Sequence, residues 1–341
     1  MYLLELASIN TFCLYIVLLT PEEITLAYRL LLGRDPENTE AIINLSQTTH
    51  SIEQLRTVFM QTPEFRQRMG QLLDKPQVIS HRHPFNLPSI PVEINTSADQ
   101  LAQMFERIHQ EWEHLGKTDP YWSVVTQPHY HLNEFEAHRQ EFYSSGKYIC
   151  DLFLAGLRRN HFNYNNAQTC LEIGCGVGRV TSYLAEVFPK VIAADISKNH
   201  LNHAQQHLAD KNISNVDVKH LHNIMLFESL GSVDTILSVI TLQHNPPPVS
   251  AWILRKLLNA LNPNGVAFLQ FLCYRSGYLF EVERYLHSHQ SNTLEMHVLP
   301  QHDIFKIIAE CHCICLEVRE DGMVGDENLM LSNTFIIQKK A

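Results

Sequence analysis

Residues 170–179 read Cys-Leu-Glu-Ile-Gly-Cys-Gly-Val-Gly-Arg, and this stretch decides the fold. The run before the first glycine, Thr169–Ile173, is apolar and suits a buried strand. The residues after the last glycine, Val180–Val187, carry helical periodicity. Three glycines between a strand and a helix let the backbone turn tightly and come close to a ligand, where a Cβ would collide. The free N–H groups of the helix that follows then face the same ligand. The spacing excludes two common nucleotide sites. A dinucleotide fingerprint, G-x-G-x-x-G/A, needs a small residue at position 179, which is Arg179 here. A phosphate loop needs Lys followed by Ser or Thr, and that pair is absent.

Strands and helices alternate downstream, the signature of a parallel sheet covered on both faces. Strands are expected near Thr169–Ile173, Val191–Asp195, Val216–His220, Thr235–Ile240, Val266–Phe271, Ile314–Arg319 and Thr334–Gln338. Helices are expected near Val180–Val187, Asn199–Ala209, Val249–Leu261 and Gln301–Glu310. The last two strands have only a short connection, which suits an antiparallel pair. The second strand ends in Asp195, a carboxylate placed to accept both hydroxyls of a ribose. The fourth strand leads into Leu242-Gln243-His244-Asn245-Pro246. Ligands of open α/β sheets bind beyond the strand carboxyl ends, so His244 sits where chemistry is expected. Its ordinary pKa suits a general base near neutrality.

A G-x-G-x-G turn preceded by Glu172 and followed by Asp195 resembles motif I of class I S-adenosylmethionine-dependent methyltransferases. Further marks of the resemblance run from Asp119 to Lys339. They are Asp119-Pro120-Tyr121-Trp122-Ser123-Val124, Leu242-Gln243-His244-Asn245 with Pro246–Pro248, and Glu295-Met296-His297-Val298-Leu299-Pro300. The resemblance implies a Rossmann-like α/β fold with a seven-stranded, mostly parallel sheet whose last strand is antiparallel. It also implies S-adenosylmethionine as cofactor, held by Glu172, Gly174, Cys175, Gly176, Gly178 and Asp195. Ile196 is then expected against the adenine. Asn223, or its neighbour His222, is expected to face adenine N6. Asn262-Pro263-Asn264-Gly265 resembles the family's turn before the fifth strand and carries no chemistry. Tyr274, Tyr278 and Glu295–His297 are expected to wall the acceptor site, with Trp122 and Tyr130 closing it from the helical cap. The acceptor itself is left open: a small molecule or a glycan, through a hydroxyl or an amine. Two other readings stay open, a nucleotide-dependent oxidoreductase and a non-catalytic scaffold that keeps the fold.

The organisation expected upstream is a helical module over 1–73, a Pro-rich linker over 74–96 and a helical cap over 97–168, ahead of the α/β core at 169–341. In the module, Thr20-Pro21-Glu22-Glu23 reads as a helix start, and Leu26, Leu30 and Leu31 are expected on its buried face. Tyr28–Pro36 and Pro63-Glu64-Phe65 resemble the phycobilisome-linker-like helical domain of unknown function, which implies an all-α accessory module and a possible protein partner. His81 and His83 lie in the linker without a Cys or acid cluster, and no metal site is expected.

The 341 residues are 45% hydrophobic and 18% charged with a net charge of −10, a soluble-globular balance that a nucleic-acid backbone would repel. Arg158–Arg159 and Lys339–Lys340 are isolated pairs, so nucleic acid is not an expected partner. Eight cysteines without paired spacing fit free thiols in a reducing, cytoplasmic setting. Cys311, Cys313 and Cys315 are expected on one face of a strand, packed rather than ligating. The apolar run 11–19 falls short of the roughly 20 residues a spanning helix needs, and no membrane span is expected.

Overall fold

The computed structural model describes residues 19–65, 68, 89–288, 294–324 and 329–341. The chain forms two compact units, Met1–His81 and Arg82–Ala341. Most of the apolar run 11–19, most of the expected helical module beyond Phe65, and His81 and His83 lie outside the described residues.

The first unit is helical. Helix α1 (Pro21–Ala27) opens with a capping box in which Thr20 accepts from the Glu23 amide and Glu23 returns the bond to Thr20. It runs into a wider turn, Tyr28–Leu32, that ends at Gly33. Helices α2 (Thr39–Thr48) and α3 (Ile52–Gln61) follow, capped by Asn38 and Ser51. The buried stripe is Ile24, Tyr28 and Leu32, with Leu55 and Phe59 across from it. Leu26 and Leu30 face outward, 54% and 74% exposed, while Leu31 packs against this cluster, so the expected face is corrected for the first two. Both sets satisfy helical spacing; the edge-on contact of Tyr28 with Phe59, at 4.8 Å, selects the one that turns inward.

The second unit begins with an extended segment. Pro91 and Glu93 exchange backbone bonds with Phe280, and Val92 forms a parallel bridge to it. Ile90, Val92 and Ile94 pack on the core, so the end of the expected linker is part of this unit. Their period-two spacing was the available signal. Helix α4 (Ala98–Thr118) starts at a capping box between Ser97 and Gln100, and buries Met104, Phe105 and Ile108. Helices α5 (Phe135–Ser144) and α6 (Gly146–Arg159) complete the expected cap region.

The sheet has seven strands in the order β3-β2-β1-β4-β5-β7-β6. They are β1 (Thr169–Ile173), β2 (Lys190–Asp195), β3 (Val216–His220), β4 (Val233–Ser238), β5 (Leu261–Arg275), β6 (Cys313–Glu320) and β7 (Met330–Lys339). The strands β1 to β5 pair parallel, and β7 runs antiparallel to both neighbours. Strand β7 lies inside the sheet because Asn333–Ile337 is buried on both faces, while β6 carries Glu317, Arg319 and Glu320 and takes the edge. Cys311 caps the preceding helix and lies before β6, so only Cys313 and Cys315 share the strand. Between the strands come α7 (Thr181–Val187), α8 (Lys198–Asp210), α9 (Pro247–Ala260), α10 (Val282–His287) and α11 (Gln301–Glu310). Leu171, Ile192, Ile236 and Leu269 face α4, α9 and α11; Cys170, Val191, Leu237 and Phe268 face α6 and α7. Strand β4 stops at Ser238, two residues short of expectation, where the chain turns through Ile240 at φ +52°.

Gly178 shows how closely the core is built. Its φ is +81°, and a Cβ there would lie 3.2 Å from the Ala204 Cβ on α8. Gly231 has a similar φ of +75° with open space around it. Replacing either by alanine introduces left-handed strain of roughly 1–3 kcal/mol. Gly178→Ala adds a packing clash, so it is expected to lower stability more than Gly231→Ala in urea unfolding. Equal losses would show that α8 does not press on the turn.

Candidate functional site

The glycine turn is held at the carboxyl end of the sheet by backbone bonds. The amides of Gly174 and Cys175 both donate to the Ala194 carbonyl, at 2.8 and 3.2 Å, tying the end of β1 to the end of β2. Asp195 completes the tie. Its Oδ2 accepts from the Gly176 amide at 2.8 Å and its Oδ1 from the Ser197 amide at 2.9 Å. Each oxygen keeps a second lone-pair direction for another donor. Gly174 is required by its surroundings, since its φ is +75° and a Cβ would run into Thr241 at 2.2 Å.

Glu172 is 5% exposed and accepts from the Thr181 hydroxyl at 2.6 Å. Burial raises its carboxyl from the usual 4.5 to about 7, against the pull of Thr181 and Arg179. Arg179 donates to Ser145 Oγ at 2.9 Å, while its buried Nε has no hydrogen-bond partner. A half-neutral acid and a guanidinium with an idle donor thus lie on either side of the turn.

These groups open into one cavity of about 710 Å³. Glu172, Gly174, Cys175, Gly176, Asp195 and Ile196 line it, as does His244. Gly178 and Asn223 are not among the lining residues. Gly178 serves helix packing, and the Asn223 carboxamide accepts from the Met225 amide at 2.9 Å as a local cap. His222 is exposed, and Leu221 and Phe227 occupy the wall instead. Trp122 stacks on His131 and Tyr130 is buried among α5 aromatics, so neither lines the cavity. Trp112 from α4, Val124 and Val125 take that side. Tyr274 and Tyr278 also lie outside the lining, and of the expected wall only Met296 reaches it. Arg179, Trp112 and His200 are lining residues that sequence reasoning did not select. Arg179 had been noted only for what it excludes.

Two hydrogen bonds, one from a side chain and one between backbones, hold the roof over His244. The His244 Nδ1 donates to the Glu295 carbonyl at 2.8 Å, and the His297 amide donates to the Gln243 carbonyl at 2.7 Å. A carbonyl only accepts, so Nδ1 carries the proton and Nε2 keeps its lone pair. Enclosure pushes the His244 pKa down to about 4. Glu295 also pairs with Arg107 of α4 at 2.8 Å. Burial works against that charge, but the His297 hydrogen bond and Arg107 hold the carboxyl at about 2. Ile240, a β-branched residue at positive φ, sits on the cavity wall where the chain leaves β4.

Residues 171–267 match the family model of the methyltransferase domain. This stretch is a methyltransferase domain. Among curated proteins, an uncharacterized protein of Rickettsia prowazekii is 36% identical over 103 residues, 30% of this chain and 41% of that protein. The ubiquinone biosynthesis O-methyltransferase of Nitrosococcus oceani is 25% identical over 191 residues, 55% of this chain and 68% of its own. Magnesium protoporphyrin IX methyltransferase from Synechocystis, solved with bound SAM, superposes with a TM-score of 0.48 at 16% identity, covering 72% of this chain and all of that one. The methyltransferase domain uses S-adenosylmethionine, and the cavity fits it: buried acids flank the turn, a buried guanidinium nitrogen lacks a partner, and the volume is that of a cofactor-sized pocket.

The raised Glu172 pKa fixes a sign. The folded chain holds this proton more tightly than the unfolded chain, so stability falls as pH rises from about 4.5 to about 7. Glu172→Gln removes the buried charge while Thr181 keeps an acceptor. The free variant is expected to melt at the same or a higher temperature than wild type at pH 8, with a flatter pH dependence. A clearly lower melting temperature at pH 8 would show that the ionised carboxylate stabilises the turn.

Proposed function

We propose that this chain transfers the methyl group of S-adenosylmethionine to a hydroxyl of a small, neutral, largely apolar acceptor. The single observation that carries the reading is the continuity of the cavity. Glu172, Arg179 and Asp195 around the glycine turn line the same cavity as His244, which bonds to the 294–296 segment beyond β4, with Leu294 and Met296 in the lining too. Asp195 is assigned to the ribose hydroxyls and Ile196 to the adenine. Glu172 is assigned to the ammonium of the methionyl end and Arg179 to its carboxylate. The glycine turn, with Cys175, forms the floor beneath them. The cofactor supplies an already activated methyl group, so the protein's task is alignment at near-attack distance and exclusion of water.

Three features support a neutral acceptor with a hydroxyl. Among the described lining residues Arg179 is the one Arg or Lys, so nothing at the His244 end is placed to grip an anion. Val239, Ile240, Leu294, Met296, Met323 and Val324 line the cavity with apolar surface, which suits a ring or chain better than a glycan. Curated relatives bear the name ubiquinone biosynthesis O-methyltransferase. At a pKa of about 4, His244 is neutral throughout the physiological range and is a weak base. Its role is to accept the acceptor's O–H at Nε2, aim the oxygen, and take the proton late as the methyl group arrives.

Residues 21–65 are assigned no chemistry, and the outward Leu26 and Leu30 support an interaction role for that module. No helix of the described residues is long and apolar enough to cross a membrane. The seven described cysteines are free thiols, in keeping with a cytoplasmic setting.

The test is turnover on a panel of phenols, aliphatic alcohols and amines, with demethylated cofactor as readout. Phenols or alcohols are expected to react. His244→Ala is expected to lower kcat about a hundredfold or more with cofactor affinity kept. Turnover on amines alone, or an unchanged rate in His244→Ala, would overturn the reading. With enclosure holding the His244 pKa down to about 4, kcat is expected to stay level from pH 6 to 8, and a rise through that range would count against this role.

A further inference from the structure

Helix α4 carries a second constellation next to the cavity. His109 and Glu113 are four residues apart and share one face of the helix. His220, the last residue of β3, meets them. The Glu113 Oε1 lies 3.7 Å from His109 Nε2 and 3.5 Å from His220 Nε2. One ligand atom from each of the three lies within 4.8 Å of the others. Atoms bound to one tetrahedral ion at about 2.0–2.2 Å stand roughly 3.3–3.6 Å apart, so the two sides through Glu113 already lie near that spacing, and the third, within 4.8 Å, must close by at most about 1.5 Å.

The surroundings favour a ligand there. Both ring nitrogens of His109 are buried without a hydrogen-bond partner, an unfavourable state for an imidazole. The Glu113 carboxylate is held from behind: Oε1 accepts from the Lys198 amide at 2.7 Å, and Oε2 from the Asn199 amide and side chain at 3.2 and 2.8 Å. Such outer bonds fix a ligating carboxylate in place. The His220 Nε2 lies 3.1 Å from the Ile196 carbonyl, so binding a metal there requires that nitrogen to give up its proton.

We propose that His109, Glu113 and His220 form a binding site for a divalent transition metal. Two imidazoles, one carboxylate and a water are a ligand set suited to Zn²⁺. Its neighbours in sequence give it a role. Trp112 and Leu221, each next to a ligand in sequence, and Ile196, whose carbonyl bonds His220, line the cavity. A bound ion ties α4 to the ends of β2 and β3 and closes the cavity wall beside Asp195.

The experiment titrates Zn²⁺ alone into the chelator-treated full chain by calorimetry at pH 7.5, with Co²⁺ absorption as a second readout. The expected result is one saturable site whose affinity drops at least about 10–100-fold in His109→Ala and in His220→Ala. The Co²⁺ spectrum of tetrahedral coordination is lost in the same variants, and Zn²⁺ raises the wild-type melting temperature. The second cluster, His129, His138 and Glu141, has an exposed acid and serves as the control. The double variant His129→Ala/His138→Ala is expected to bind as wild type. Zn²⁺ affinity unchanged in both ligand variants, or lost in the control, overturns the proposal. The His109 ring is part-buried and makes no hydrogen bond, so His109→Ala breaks none and keeps the test valid if His220→Ala fails to fold. No cofactor is present, so failure here leaves the reading of the cavity intact.

Discussion

The carboxylate of Asp195 is the constraint on which the site depends. It takes one backbone N–H from the glycine turn and another from the start of α8, and so joins the ends of β1 and β2 to the helix that follows. Charge-assisted bonds of this kind are stronger and shorter than neutral ones. A carboxylate that only accepts cannot satisfy itself in a buried position, so the geometry of the turn follows from its need for donors. The donors already in place leave its remaining lone pairs for a ligand. Structure and binding thus draw on the same group.

The rest of the cavity comes from places far apart in the chain. Trp112 arrives on α4, Val124 and Val125 on the loop after it, Leu294 and Met296 on a roof beyond β5, and Met323 and Val324 between the last two strands. The roof is fixed to the fourth strand's end through His244 and Gln243, and to α4 through the Arg107–Glu295 pair. Movement of α4 would therefore be felt at the roof beside His244. The apolar character of these scattered residues bears on the acceptor; the glycine turn bears on the cofactor.

Much of this was legible before any coordinates. Glu172, the glycine spacing and Asp195 are local in sequence, and local geometry follows from glycine φ values and the strand-to-helix switch. The antiparallel final strand followed from a connection too short for a crossover. The rest was hidden for definite reasons. Asn223 and Leu221 compete for the same loop, and only packing shows that the polar residue caps Met225 while the apolar one turns inward. Gly178 belongs to the same motif as Gly174, yet its neighbour is Ala204, a contact across an intervening strand. Leu26 and Ile24 both fit a helical stripe, and the choice depends on Phe59 on another helix. Arg179 read as an exclusion because its contact with Ser145 joins residues far apart in sequence.

Calorimetric titration of S-adenosylmethionine into wild type and Asp195→Ala examines the ribose assignment and the turn together. Saturable binding of one molecule per wild-type chain, weakened at least about tenfold in a variant that still folds, is the outcome this structure requires. Absence of binding to wild type, or equal affinity in the two chains, would contradict it.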